Sequence, residues 1–110
     1  MGQLTEAASV VLDASGNGSV RLRPSNARTT WQVASVQVTV SSNASEPTAN
    51  VYMNTTTGAD LGGTYTGSND TCSGLNVELY PGQALAVQWL GGDPGARATA
   101  TVYGTTGTWS

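Results

Sequence analysis

Histidine, lysine and phenylalanine are absent from this chain, and cysteine occurs once, as Cys72. General acid–base and amine chemistry depend heavily on histidine and lysine, so the usual general bases and Schiff-base nucleophiles are missing. Cys72 has no second cysteine to pair with and no histidine to activate it, which makes it a passive thiol. Charge is scarce as well: charged residues are 10% of the 110, positive charge rests on four arginines, and the net charge is −3. With no basic stripe to displace phosphate counterions, nucleic acid is not expected as a partner. No apolar run approaches the roughly 20 residues of a membrane-spanning helix, so no membrane partner is expected either. Met1-Gly2-Gln3-Leu4-Thr5-Glu6 has neither the basic nor the apolar region of a secretory leader, which points to synthesis in a cytoplasm. Asn17, Asn43, Asn54 and Asn69 each open an N-x-[ST] triplet, but in a chain this rich in Ser and Thr such triplets arise by chance.

What is there is Thr, Ser, Gly, Val and Ala, arranged in short β-rich runs between clusters of Gly, Pro, Asn and Asp. No window carries a helical period. The pattern predicts one all-β domain, a jelly-roll-like β-sandwich of about eight antiparallel strands. Residues 9–13 and 19–23 are expected to form a hairpin around Asn17-Gly18, with Val20 and Leu22 facing in and Arg21 and Arg23 out. Over 30–41, Trp31 and Val33 share one parity and Val36, Val38 and Val40 the other. A strand of period two cannot change face without an extra residue, so a β-bulge is expected near Ala34-Ser35. Strands follow at 49–54 and 61–66, then a loop at 67–74. Leu75, Val77 and Leu79 alternate with polar neighbours up to a type II turn at Pro81-Gly82. Leu85, Val87 and Trp89 alternate next, a hairpin turn is expected at Gly91-Gly92-Asp93-Pro94-Gly95, and a last strand covers 96–103. Residues 1–8 read as an N-terminal arm, 9–104 as the sandwich and 105–110 as a C-terminal tail. The arm either frays or pairs with a neighbour's sheet.

Candidate sites are few. Asp60, Asp70 and Asp93 fall in expected loops, where Asp is an ordinary turn residue; calcium through their oxygens is the rival reading. No metal or other cofactor is expected. Trp31 and Trp89 lie on the apolar parity and belong to the core. Tyr80 and Tyr103 lie on the polar parity, and Trp109 sits in a tail too short to bury it. Together with Leu4 in the arm, these three are the candidate interface residues.

Three segments carry a resemblance: Thr64-Tyr65-Thr66-Gly67-Ser68-Asn69-Asp70, then Leu79 to Trp89 (LYPGQALAVQW), then Gly91-Gly92-Asp93-Pro94-Gly95-Ala96-Arg97-Ala98, with Trp31-Gln32-Val33-Ala34-Ser35-Val36 upstream. Together they resemble small virion proteins of tailed phages that infect actinobacteria, over about residues 30 to 104. The resemblance implies a β-sandwich, often trimeric, of the capsid decoration or minor tail type, with no catalytic residues. The expectation that follows is a non-enzymatic protein on the virion's capsid surface. Its partners would be the major capsid protein or another virion protein, and further copies of itself as a homotrimer. A tail or fibre component is the first alternative. A carbohydrate-binding module using Tyr80, Tyr103 or Trp109 is the second.

Overall fold

The computed structural model describes residues 2–24, 28–42, 44–53, 60–66, 69–72, 75 and 77–108, the side chains of 60–66, Asn69 and Cys72 excepted. Among the described residues every regular element is a strand. They run in order β1 (Gly2–Val11), β2 (Gly18–Leu22), β3 (Thr29–Val40), β4 (Thr48–Met53), β5 (Asp60–Thr66), β6 (Asn69–Cys72), β7 (Val77–Leu79), β8 (Leu85–Leu90) and β9 (Arg97–Thr108).

Two antiparallel sheets pack face to face. Sheet I has the order β1-β9-β3-β6, with β7 also on β3; sheet II has the order β2-β8-β4-β5. If β6 and β7 count as one interrupted strand, this is the strand order of a jelly roll, two four-stranded sheets between which successive strands alternate, except β4 and β5, which are neighbours in sheet II. The two twelve-residue strands, β3 and β9, set the molecule's length. At about 3.3 Å per residue each spans roughly 40 Å, against a longest dimension of 46 Å and widths of 22 Å.

Strand alternation builds the core. Sheet I contributes Trp31, Val33, Val36 and Val38 from β3 and Ala98, Ala100 and Val102 from β9. Sheet II contributes Leu85, Val87 and Trp89 from β8 and Ala49 and Val51 from β4. Within this one cluster β9 supplies small side chains and β8 large ones. Trp31 and Trp89 are both buried, at 5% and 0% exposure.

The bulge falls where alternation demands it: the register of β3 on β9 shifts between Val33 and Ser35. Gly104 makes it possible. A Cβ on Gly104 would sit 1.9 Å from the Gln32 carbonyl oxygen, so only glycine lets the bulged backbone approach. The bulge also divides the outer flank of β3. Trp31–Val33 pairs with β7, Val36–Thr39 pairs with β6, and between them the Leu75 N–H donates to the Ala34 carbonyl at 3.0 Å. The segment 67–74, expected as a loop, therefore contains strand β6.

Several local expectations need correction. Residues 9–13 and 19–23 are not a hairpin: among the described residues β1 pairs with β9 and β2 with β8, so the turn between them crosses from one sheet to the other. The left-handed glycine there is Gly16 (φ 76°), while Gly18 opens β2. Gly91–Gly95 likewise joins β8 in sheet II to β9 in sheet I and is a crossing, not a hairpin turn. Turn chemistry fixes the reversal but not the sheet that the next strand joins. Pro81-Gly82 is a turn as expected, with Gly82 at φ 93° and the Gln83 N–H donating to the Tyr80 carbonyl at 2.9 Å.

The separate ends are corrected too. The arm expected over 1–8 is most of β1, paired with β9 from Gly2↔Thr106 to Val11↔Arg97, and the tail from 105 continues β9 to Thr108. Residues 2–8 and 105–108 are strand because a twelve-residue β9 offers a full ladder for β1 to occupy.

Candidate interaction surfaces

The outward parity of sheet I forms a broad face. Cross-strand rows such as Ala7–Thr101–Gln37–Thr71 and Ser9–Thr99–Thr39 carry hydroxyls, amides and a methyl, with no charge. Arg97 closes the face at one end and Glu78 stands at its edge. Tyr103 is the one aromatic on the described part of the face. It lies between Thr5 and Ser35, is 36% exposed, and its hydroxyl donates to Gln37 Oε1 at 3.3 Å. That bond lays the phenol along the sheet and leaves a ring edge to solvent.

Tyr80 lies elsewhere. It follows Leu79, whose partner on β3 is Trp31, whereas Tyr103 pairs with Ser35 on the opposite flank of β3. The two tyrosines do not form one stacking platform. Tyr80 is 38% exposed and fixed at both ends: its N–H donates to Gln83 Oε1 at 2.9 Å and its hydroxyl donates to Glu78 Oε1. The hydrogen bond and the charge of Glu78 favour the neutral phenol and raise its pKa above 10.0.

Leu4 does not belong to a surface. It sits on the inward parity of β1, 2% exposed, within the core cluster. Trp109 lies outside the described residues. Two exposed apolar side chains were not foreseen, Val11 at the end of β1 (54%) and Leu90 at the end of β8 (42%). Each stands at a strand terminus, where alternation gives little warning.

Of the three aspartates expected in loops, Asp93 alone lies in one. Asp60 opens β5 and Asp70 lies in β6, so neither is in a loop; the side chain of Asp60 is outside the described part. Half-buried Asp93 ties two crossings together. It accepts from the Ser45 N–H at 2.7 Å, the Ala44 N–H at 2.9 Å and the Ser42 hydroxyl at 2.9 Å. These bonds, the Ser45 N–H foremost, hold its carboxyl below the usual value. The same end is laced further: the Gly91 N–H donates to Asn17 Oδ1 and the Gly92 N–H to the Gly16 carbonyl. Among the described residues no three His, Cys, Asp or Glu side chains come together as a metal site.

An open pocket of about 180 Å³ lies between β1 and β2, where the two sheets part. Glu6, Arg21, Arg23 and Trp31 line it together with Ala7, Ala8 and Leu22. Glu6 shares the parity of buried Leu4, so a carboxylate stands where an apolar residue would continue the core. That break in alternation is the only sequence signal of the pocket.

No family model matches this chain, and no curated protein matches its sequence.

Proposed function

We propose that this protein is a non-enzymatic structural component of a phage virion, a decoration protein that binds and stabilises the outer surface of the head. The observation that carries this reading is the outer face of sheet I, which is broad, almost uncharged and rich in Thr, Ser and Gln around Tyr103. Such a face has little to desolvate at high cost and presents hydroxyls and methyls that pack well against other protein. The jelly roll supports the reading at the level of fold analogy, since this architecture builds viral capsid proteins, as well as lectins and cupins. The sequence likeness to virion proteins of actinobacterial phages adds to it. The mechanism is passive: many copies each add a weak contact, and the lattice multiplies them.

Cryo-EM of purified virions, with copy number from quantitative mass spectrometry, tests the proposal. Density on the capsid lattice in many copies is expected. Density on the tail alone would move the protein to the tail or fibre class. A Thr101→Arg variant, which places charge in the middle of the face, is expected to lose capsid binding while keeping its fold.

A further inference from the structure

We propose that β1 is a self-pairing edge, and that two copies of the chain join there about a two-fold axis at Ala7 into one continuous sheet. The proposal stands apart from the virion reading and predicts a dimer where the sequence likeness implied a trimer.

The direction of the free backbone groups follows from the flanking bonds. The Leu12 N–H donates to the Ala96 carbonyl, and the Ser41 N–H donates to that of Arg97. Arg97 therefore turns its groups toward β3, and the even residues of β9 turn theirs toward β1. With the register Val11↔Arg97 unbroken to Gly2↔Thr106, the even residues of β1 bond to β9. Gln3, Thr5, Ala7, Ser9 and Val11 point their N–H and C=O groups away from the sheet. Among the described residues β1 pairs with no other strand on that side.

A long exposed edge is a template for pairing, and proteins usually guard it with short strands, bulges, proline or charge. The other edges here are guarded. β6 and β7 are short and interrupted, β5 meets β4 with an irregular register, and β2 carries Arg21 with Arg23 and Pro24 directly after it. β1 runs ten residues with no proline, no bulge and one charge, Glu6.

The occupant follows from register and charge. An antiparallel copy centred on Ala7 places Thr5 opposite Ser9 and Gln3 opposite Val11, so every outward-pointing backbone group from 3 to 11 is paired. Small Ala7 lies on the axis. Shifting the centre to Glu6 would set the two carboxylates directly opposite each other, which is unfavourable, so the charge excludes that register. In the Ala7 register the partner's Glu6 lies opposite Ala8, on the wall of the pocket that holds Arg21 and Arg23. A pocket with two guanidinium groups and one carboxylate thus receives a second carboxylate. The outer faces of the two copies merge, which doubles the neutral surface.

Sedimentation velocity on the full chain at micromolar to hundred-micromolar concentration is the test, with circular dichroism as the control for folding. Twice the 11.2 kDa of one chain is expected. Ala7→Pro removes an N–H that points away from β9 and leaves the ladder to β9 intact, so it is expected to be a folded monomer. Should Ala7→Pro misfold, Ala7→Lys sets two like charges on the axis and is expected to weaken dimerisation at least tenfold. A monomeric or trimeric wild type, or a dimer that survives the folded variant, would overturn the proposal.

Discussion

The two edges of sheet I are built in opposite ways. On one side, β3 is covered by β6 and β7, each only three or four residues long, with Leu75 bridging the bulge between them. That edge is broken into pieces too short and too displaced to template another strand. On the other side β1 continues for ten residues in unbroken register. Yet both edges bury apolar side chains on their inner face, Leu79 at 0% exposure and Leu4 at 2%. Edge guarding and core building are thus separate properties of a strand: the backbone settles the first and side-chain parity the second.

The largest expected effect tests that separation. Leu79→Ala and Leu4→Ala should each cost about 2–5 kcal/mol in urea unfolding, because each empties a fully buried site. If Leu4→Ala left stability unchanged, β1 would be an arm resting on the surface and the likeness between the edges would fail. Next is the bulge that divides the β6–β7 edge. Gly104→Ala places a Cβ against the Gln32 carbonyl oxygen and should cost about 1–3 kcal/mol through displaced backbone. Its mark would be a loss of hydrogen-exchange protection at Leu75 and along β7, with the β1 ladder near Val11 kept.

Much of this was legible in the residues. The parity switch between Val33 and Val36 located the bulge, because the core needs valine on both sides of it and the pleat allows no other solution. Trp31 and Trp89 followed from alternation alone, and so did the outward placement of Tyr80 and Tyr103. What was hidden is long-range. Whether the strand after Asn17 joins the same sheet depends on β8, some 70 residues away in sequence, and nothing in the turn encodes it. β6 was invisible because Asn-Asp-Thr-Cys has little strand propensity and is held as a strand by the free flank of β3. Leu4 was misplaced because Glu6 interrupts the even parity that joins it to Ala8 and Val10. The pocket was hidden for the same reason, since Glu6 shares a pocket with Arg21 and Arg23 only when β1 and β2 come together from different sheets.

Away from the edges, the laced end of the sandwich should respond to acid through Asp93. A carboxyl whose folded pKa lies below its unfolded value adds stability that is present above the unfolded value and is lost as pH falls through the folded one. The unfolded value is near 3.8, so the loss belongs to the range below it. Thermal melts from pH 6 down to pH 2 should show Asp93→Asn less stable than the parent at pH 6. The two should converge at the acid end. Parallel curves would mean that the Ser42, Ala44 and Ser45 bonds do not depend on the charge.

The smallest effect is expected at the guarded edge itself, where Tyr80 caps β7 and donates to Glu78. Deprotonating the phenol there removes the donor and sets two negative charges side by side, so its folded pKa is raised above 10.0. The sign is opposite to that of Asp93: the contribution is complete below pH 10 and disappears as pH climbs through the raised value. An ultraviolet titration of the phenolate band isolates it, with Tyr80→Phe used to assign the step. Glu78→Gln keeps an acceptor but removes the charge and should bring the step back toward 10. If the step does not move, the hydrogen bond rather than the charge holds the phenol neutral, and the β7 edge is guarded by its short length and displaced register alone.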